Sequence, residues 1–284
     1  YAQDINTSGI SNSNLKNALE SLKNETSYDK NKLKPYLEQR AVVVIPARYK
    51  SSRFPGKPLV NILGTPMIIR VADIACKAVG IENVYIATED RRIVDVVEDA
   101  GYKVILTSDN CLTGTDRIAE AAMEIDADIF IDVQGDEPLL DPDYIVKTIE
   151  EKKKYPNHVI NCMARLESYD DVDSLKIPKM VVNLDNEIIY QSRSGIPGSK
   201  SGPVKSQAKK QVCVFAFNRQ ELEAFAEEGC SGKTPLEWEE DLEMLRFLEM
   251  GIKLKGLEVE GTTHAVDIPE DIKIVEKLLK KVSG

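Results

Sequence analysis

The 284-residue chain is 42% hydrophobic and 30% charged with a formal net charge of −10, the profile of a soluble globular protein with sequence for one large core or two modest ones. The acidity argues against a nonspecific nucleic-acid binder, whose affinity comes from neutralising phosphates, and no apolar run approaches the ~20 residues of a membrane-spanning helix. Five dispersed cysteines without a C-x-x-C pair indicate neither a zinc site nor a disulfide framework and point to a reducing, cytoplasmic setting.

Residues 1–40 form an Asn-, Ser- and Lys-rich extension. It opens on Tyr1, as a fragment or processed form would, and shows no signal-peptide pattern. Leu15, Ala18, Leu19 and Leu22 have helical spacing, so the extension is expected to be helical or disordered. Residues 41–284 are expected to be one domain in which strands alternate with helices. The β-branched run 41–45, closed by Pro46, has the pattern of a buried parallel strand. The loop after it carries Arg48, Ser52, Arg53 and Lys57 and is stiffened by Pro46, Pro55 and Pro58. Leaving the carboxyl end of a strand, it suits a polyphosphate; the alternative is a solvated basic loop.

Thr65-Pro66 predicts the N-cap and first residue of a helix burying Met67, Val71, Ile74, Ala75 and Ala78 and stopped by Gly80. Residues 84–88 are the next strand. Asp90 caps a helix with Ile93, Val96, Val97 and Ala100, closed by Gly101, and residues 103–107 form a third strand. This order predicts right-handed βαβ units and a mostly parallel sheet. Thr113-Gly-Thr-Asp-Arg117 opens a helix containing Ile118, Ala119, Ala122 and Met123. Its start could hold an anion or a base edge, although plain capping by Thr115 is the simpler reading. Strand 128–133 exits into Gln134-Gly-Asp-Glu-Pro138, which puts Asp136 and Glu137 at the same sheet edge as the basic loop. A helix then starts at Asp141-Pro142. Residues 158–218 read as a β meander with a long loop at 195–203. Thr234-Pro-Leu-Glu237 is a capping box launching a helix to about Met250, and Val266-Asp267-Ile-Pro-Glu270 precedes a final helix.

The P-loop, G-x-G-x-x-G and H-E-x-x-H signatures are absent, as is the G-x-S-x-G elbow. Cations at one strand end and carboxylates at another suggest a nucleotide with its magnesium, because Mg²⁺ takes a few carboxylates plus phosphate oxygens. The reaction class that follows is transfer at phosphorus.

Ile45-Pro-Ala-Arg-Tyr, Ser-Arg-Phe-Pro-Gly-Lys-Pro-Leu59, Thr113-Gly-Thr-Asp-Arg117, Val133-Gln-Gly-Asp-Glu-Pro138, Ser192-Arg193 with Ile196-Pro197, Thr234-Pro-Leu-Glu237 and Val266-Asp-Ile-Pro-Glu-Asp271 lie in register. From residue 41 onward the sequence resembles the 3-deoxy-manno-octulosonate (KDO) cytidylyltransferase family. The resemblance implies an α/β, Rossmann-like nucleotidyltransferase fold: a mixed, mostly parallel sheet flanked by helices, with a smaller antiparallel insertion at about 158–218. It also implies transfer of CMP from CTP to the anomeric hydroxyl of a 2-keto-3-deoxy sugar acid, with Mg²⁺ and a homodimer. On that resemblance Arg48, Ser52, Arg53 and Lys57 bind the triphosphate, and Lys57, Arg53 and Asp136 carry the catalysis. Gly114, Thr115, Arg117 and Gln134 hold ribose and cytosine, Asp136 and Asp267 ligate magnesium, and Arg193, Gln211, Phe215, Glu237 and Trp238 face the sugar. Plainer readings are a turn for Asp136, a helix start for Asp267 and the capping box for Glu237.

The sugar-facing blocks depart from the family pattern. Gln211 stands for a histidine, Phe215 and Phe217 occupy a Tyr-rich segment, Trp238 follows the capping box, Met244 replaces a glutamine, and a Val-Lys pair is shifted to Lys179-Met-Val181. Unpaired polar groups in a polyhydroxy-acid pocket cost ~1–3 kcal/mol each, so a modified acceptor such as an amino-substituted octulosonate is expected. The alternatives are a catalytically weak nucleotide-binding homologue serving as an assembly or regulatory subunit, and a nucleotidyltransferase for another base.

Overall fold

The computed structural model describes residues 39–50, 54–167, 170–198, 200, 208–260 and 264–282. The expectations for residues 1–38, Ser52, Arg53 and much of the loop at 195–203 lie outside these. In chain order the elements are β1 (Ala41–Ala47), β2 (Asn61–Ile62), β3 (Thr65–Pro66), α1 (Met67–Val79), β4 (Val84–Thr88), α2 (Arg91–Asp99), β5 (Lys103–Leu106), α3 (Gly114–Ala122), β6 (Ile129–Val133) and α4 (Pro142–Lys154). They continue with β7 (Val159–Arg165), β8 (Lys179–Val182), β9 (Ile188–Ser192), β10 (Lys209–Asn218), α5 (Arg219–Gly229), α6 (Pro235–Glu240), α7 (Met244–Glu249), β11 (Leu254–Glu258) and α8 (Pro269–Val282).

Among the described residues the main sheet has nine strands, ordered β11-β7-β10-β6-β1-β4-β5, with β8 and β9 branching from β10. β6, β1, β4 and β5 run parallel, as do β11 and β7, while β10 is reversed between β6 and β7. Successive side chains of β1 alternate between faces. Val43 and Ile45 meet Val71 and Ala75 of α1 on one side; Val42 and Val44 meet Ile118 of α3 and Phe225 of α5 on the other. Burial on both faces is what made β1 read as an unbroken apolar run. The expected mixed sheet flanked by helices is present.

Four local expectations are corrected. Thr65 and Pro66 pair with β2 instead of opening the helix, so α1 begins at Met67 and has no side-chain cap. Met123 and Ala100 lie just past the ends of α3 and α2, where the apolar faces have already turned away, and Met123 is 80% exposed. The helix launched by the capping box breaks at Asp241, whose φ of 50° is left-handed, leaving two short helices. Within the meander only β8 and β9 form an antiparallel outgrowth; β7 and β10 are strands of the main sheet, with buried stretches on both. No helix among the described residues is long and apolar enough to cross a membrane.

Candidate active site

Because β6, β1 and β4 are parallel neighbours, the segments leaving them open at one edge of the sheet. The segment after β1 closes on itself through Gly56, whose φ of 73° few other residues adopt and whose N–H donates to Tyr49 O at 2.9 Å. Lys57 and Pro58 then begin a single 3₁₀ turn, which brings Lys57 Nζ to 2.5 Å from Asp136 Oδ2 on the segment after β6. The N–H of Val266 donates to Asp136 O at 2.9 Å and draws Asp267 to the same place. Asp271 Oδ2 secures that approach by accepting from the N–H groups of Asp267 and Ile268 at 2.8 and 3.0 Å.

Across from this pair stands the N-terminus of α3. Its cap is Thr113, which accepts from Asp116 N at 3.1 Å, and not Thr115. Thr115 is buried. Its N–H and hydroxyl, with Gly114 N–H, donate to the Glu243 carboxylate at 2.9, 2.5 and 3.0 Å. Burial raises the pKa of Glu243, opposed by these donors. Gly114 leaves room for Gln134: a Cβ there would lie 3.1 Å from Gln134 Nε2. That amide nitrogen donates to buried Asp132 at 2.8 and 3.1 Å. Burial, reinforced by the Glu243 charge, pushes Asp132 well above the ordinary carboxylate range. Arg117 is held by Glu89, 3.1 Å away, and by a hydrogen bond to Thr107 Oγ1.

These groups enclose a cavity of about 330 Å³. Arg48, Lys57, Gly114, Arg117, Gln134, Asp136 and Asp267 all line it, so seven of the residues singled out in the sequence meet there. Thr115 sits behind the wall. Glu243, Lys233, Asp241 and Cys111 also contribute to the lining and were missed. Glu243 had no local signal, since a glutamate in a helical stretch ordinarily faces solvent; only the return of α7 onto α3 reveals it.

The five residues expected to face the sugar do not line this cavity. Glu237 is fully buried, and its two oxygens accept from Arg246 at 2.7 Å each. Phe215 packs in the core beside Phe217. Arg193 donates to the carbonyls of Glu240, Leu175 and Asp241. Gln211 reaches Asn161 at 3.4 Å, and Trp238 stands 74% exposed on α6. Each is used by the scaffold or left in solvent.

Chemically, the cavity offers cations to a polyphosphate and two carboxylates to a hard divalent ion. Among the described residues no three His, Cys, Asp or Glu groups cluster around a metal position. Magnesium needs no such cage, because phosphate oxygens and water complete its octahedron.

Comparison with known proteins agrees with this chemistry. A cytidylyltransferase family model matches residues 42–255. The mitochondrial 3-deoxy-manno-octulosonate cytidylyltransferase of Arabidopsis thaliana is 37% identical over 247 residues, spanning 85% of this chain and 84% of that protein. The Escherichia coli enzyme of the same name is 35% identical over 240 residues, 84% and 96% of the two chains. A solved structure of CMP:2-keto-3-deoxy-manno-octonic acid synthetase complexed with CTP superposes with a TM-score of 0.78 at 34% identity, covering 85% of this chain and 99% of the other. The chain belongs to the 3-deoxy-manno-octulosonate cytidylyltransferase family of nucleotidyltransferase enzymes.

Proposed function

We propose that the chain transfers CMP from CTP to the anomeric hydroxyl of KDO. The hydroxyl oxygen attacks the α-phosphorus, the bond to the bridging oxygen breaks, pyrophosphate departs and the hydroxyl proton is lost. The observation that carries the reading is the convergence of Arg48, Lys57, Asp136 and Asp267 on one cavity at the carboxyl edge of the sheet. Arg48 and Lys57 hold the triphosphate, Arg117, Gly114 and Gln134 the nucleoside, and Asp136 with Asp267 a magnesium ion. That ion, when bound, neutralises phosphate charge and orients the oxygens that enter and leave.

KDO itself is the acceptor preferred here. Of the substitutions that suggested a modified sugar, Gln211, Phe215, Phe217, Trp238 and Lys179 are not among the cavity-lining residues, and Met244 follows the lining residue Glu243 but is itself buried in the core. The noncatalytic alternative has no support, because Lys57, Asp136 and Asp267 are all retained and share one site. With CTP and Mg²⁺, pyrophosphate release should be fastest with KDO in a panel of acidic sugars. Asp136→Asn should lower it by roughly 10²-fold or more, the scale on which loss of one transition-state stabiliser is felt. A faster amino-substituted octulosonate would restore the modified-acceptor reading, and turnover with UTP equal to CTP would remove the cytidylyl assignment.

The homodimer belongs to the same proposal. Ile189, 61% exposed, lies on β9 at an outer edge of the sheet; the Arg193 N–H just past β9 donates to Glu240 of α6 at 2.8 Å, Arg193 Nη1 donates to the carbonyl of exposed Leu175, and exposed Trp238 lies on the same α6. An apolar set of this kind suits an interface between copies. Sedimentation should give a dimer, shifted toward monomer by Ile189→Glu. The five free cysteines fit a reducing compartment such as the cytoplasm.

A further inference from the structure

We infer that Glu89 is a positioning residue whose one carboxylate fixes both the arginine on the nucleoside side of the cavity and the neck of the phosphate loop. It sits just past the end of β4, next to β1, where Ala47 is in register with Thr88. Its Oε1 accepts from Tyr49 N–H at 3.0 Å, and its Oε2 lies 3.1 Å from Arg117 Nη2, with both side chains about 5% exposed. Tyr49 is the base of the loop: its carbonyl accepts from Gly56 N–H at 2.9 Å, and its ring lies under the Arg92 guanidinium, 3.3 Å from CZ to the centroid. On the other side, Arg117 also donates from Nη1 to the Thr107 hydroxyl. Glu89 therefore presets two half-sites that a nucleotide bridges, which reduces the ordering cost of binding.

The inference rests on the nucleotide reading above and is tested with the two products of that reaction, CMP and inorganic pyrophosphate, titrated calorimetrically into the full chain with Mg²⁺. In Glu89→Gln the amide oxygen can still accept from Tyr49 N–H, while the amide N–H₂ faces Arg117. CMP should bind ~10-fold more weakly and pyrophosphate within ~2-fold of the unmodified chain, the loss of one charge-assisted contact being of that order. Glu89→Ala removes both contacts, and both ligands should weaken, pyrophosphate by ~5-fold or more. Because Ala leaves Arg117 buried and unpaired, Glu89→Gln/Arg117→Met is the companion that keeps the question decidable should Glu89→Ala not fold. If Glu89 acts through Arg117, the double variant binds CMP no more weakly than Arg117→Met alone. Unchanged CMP affinity in Glu89→Gln, additive losses in the double variant, or unchanged pyrophosphate affinity in a folded Glu89→Ala would each overturn the inference. An unmodified chain that binds neither product would overturn the nucleotide reading itself, and the inference with it.

Discussion

Lys57→Met should lower kcat for CMP transfer by roughly 10²–10³-fold, the range measured when one preorganised donor to a developing charge is removed. Lys57 is the cation closest to the carboxylate proposed to hold magnesium, with Nζ 2.5 Å from Asp136 Oδ2. A phosphoryl transfer leaves the protein little covalent work, so positioning and charge stabilisation supply most of the rate. The lysine is fixed for that task by the 3₁₀ turn at Lys57–Leu59 and by the closure of Gly56 on Tyr49. Methionine keeps the length and apolar stem and removes only the charge. The Lys57–Asp136 pair is partly open to solvent, so the variant should unfold at nearly the denaturant concentration of the parent; pairs of this exposure contribute little. Steady-state kinetics separate the roles of the lysine. A fall in kcat with a modest change in KM for CTP marks a group whose contact strengthens in the transition state, whereas a raised KM at constant kcat would reduce Lys57 to a ground-state anchor.

The part of the cavity proposed to hold the nucleotide could be assembled from the sequence because its residues are local. Arg48 and Lys57 belong to one loop, Gln134 and Asp136 to another, and strand signals before each put the two loops at one sheet edge. The β-branched run of β1 and the Asp90 cap were equally local and stand as expected. What failed depends on contacts distant in the chain. Glu243 enters the wall only because α7 returns to α3, 128 residues away from Thr115. Glu237 was ambiguous for the same reason. Its capping box is visible in four residues, but the partner that consumes both oxygens, Arg246, lies across a break at Asp241 that no glycine or proline announces. Phe215 was assigned to the sugar by resemblance, and the bulged pairing of β10 with β7 places it in the core instead.

Glu237→Ala should destabilise the fold by about 3–5 kcal/mol, the cost of stripping a partner from a buried ion pair. Arg246 has no solvent exposure, and its guanidinium is divided between Glu237 and Asp116, with Nη1 2.6 Å from Asp116 Oδ1. Burial opposes the charge, but the two carboxylates outweigh it and hold the arginine pKa above its ordinary value. Removing Glu237 leaves that charge with Asp116, the Phe225 carbonyl at 3.0 Å and the Phe225 ring, and frees the Thr234 N–H that the capping box satisfies at 3.2 Å. Urea unfolding should register a fall in midpoint without a change in slope. Glu237→Gln, which retains one acceptor, should lose less. Glu237→Leu/Arg246→Met removes both charges of the pair at similar volume and should recover part of the loss, since replacing a buried pair outright is often neutral while Asp116 loses its arginine and keeps the Thr113 hydroxyl. The same variants decide the functional question. A scaffold role predicts that folded Glu237→Gln keeps its KM for KDO, because the side chain is buried between α6 and α7, where both of its oxygens accept from Arg246. A raised KM for the sugar with little loss of stability would instead return Glu237 to the acceptor site.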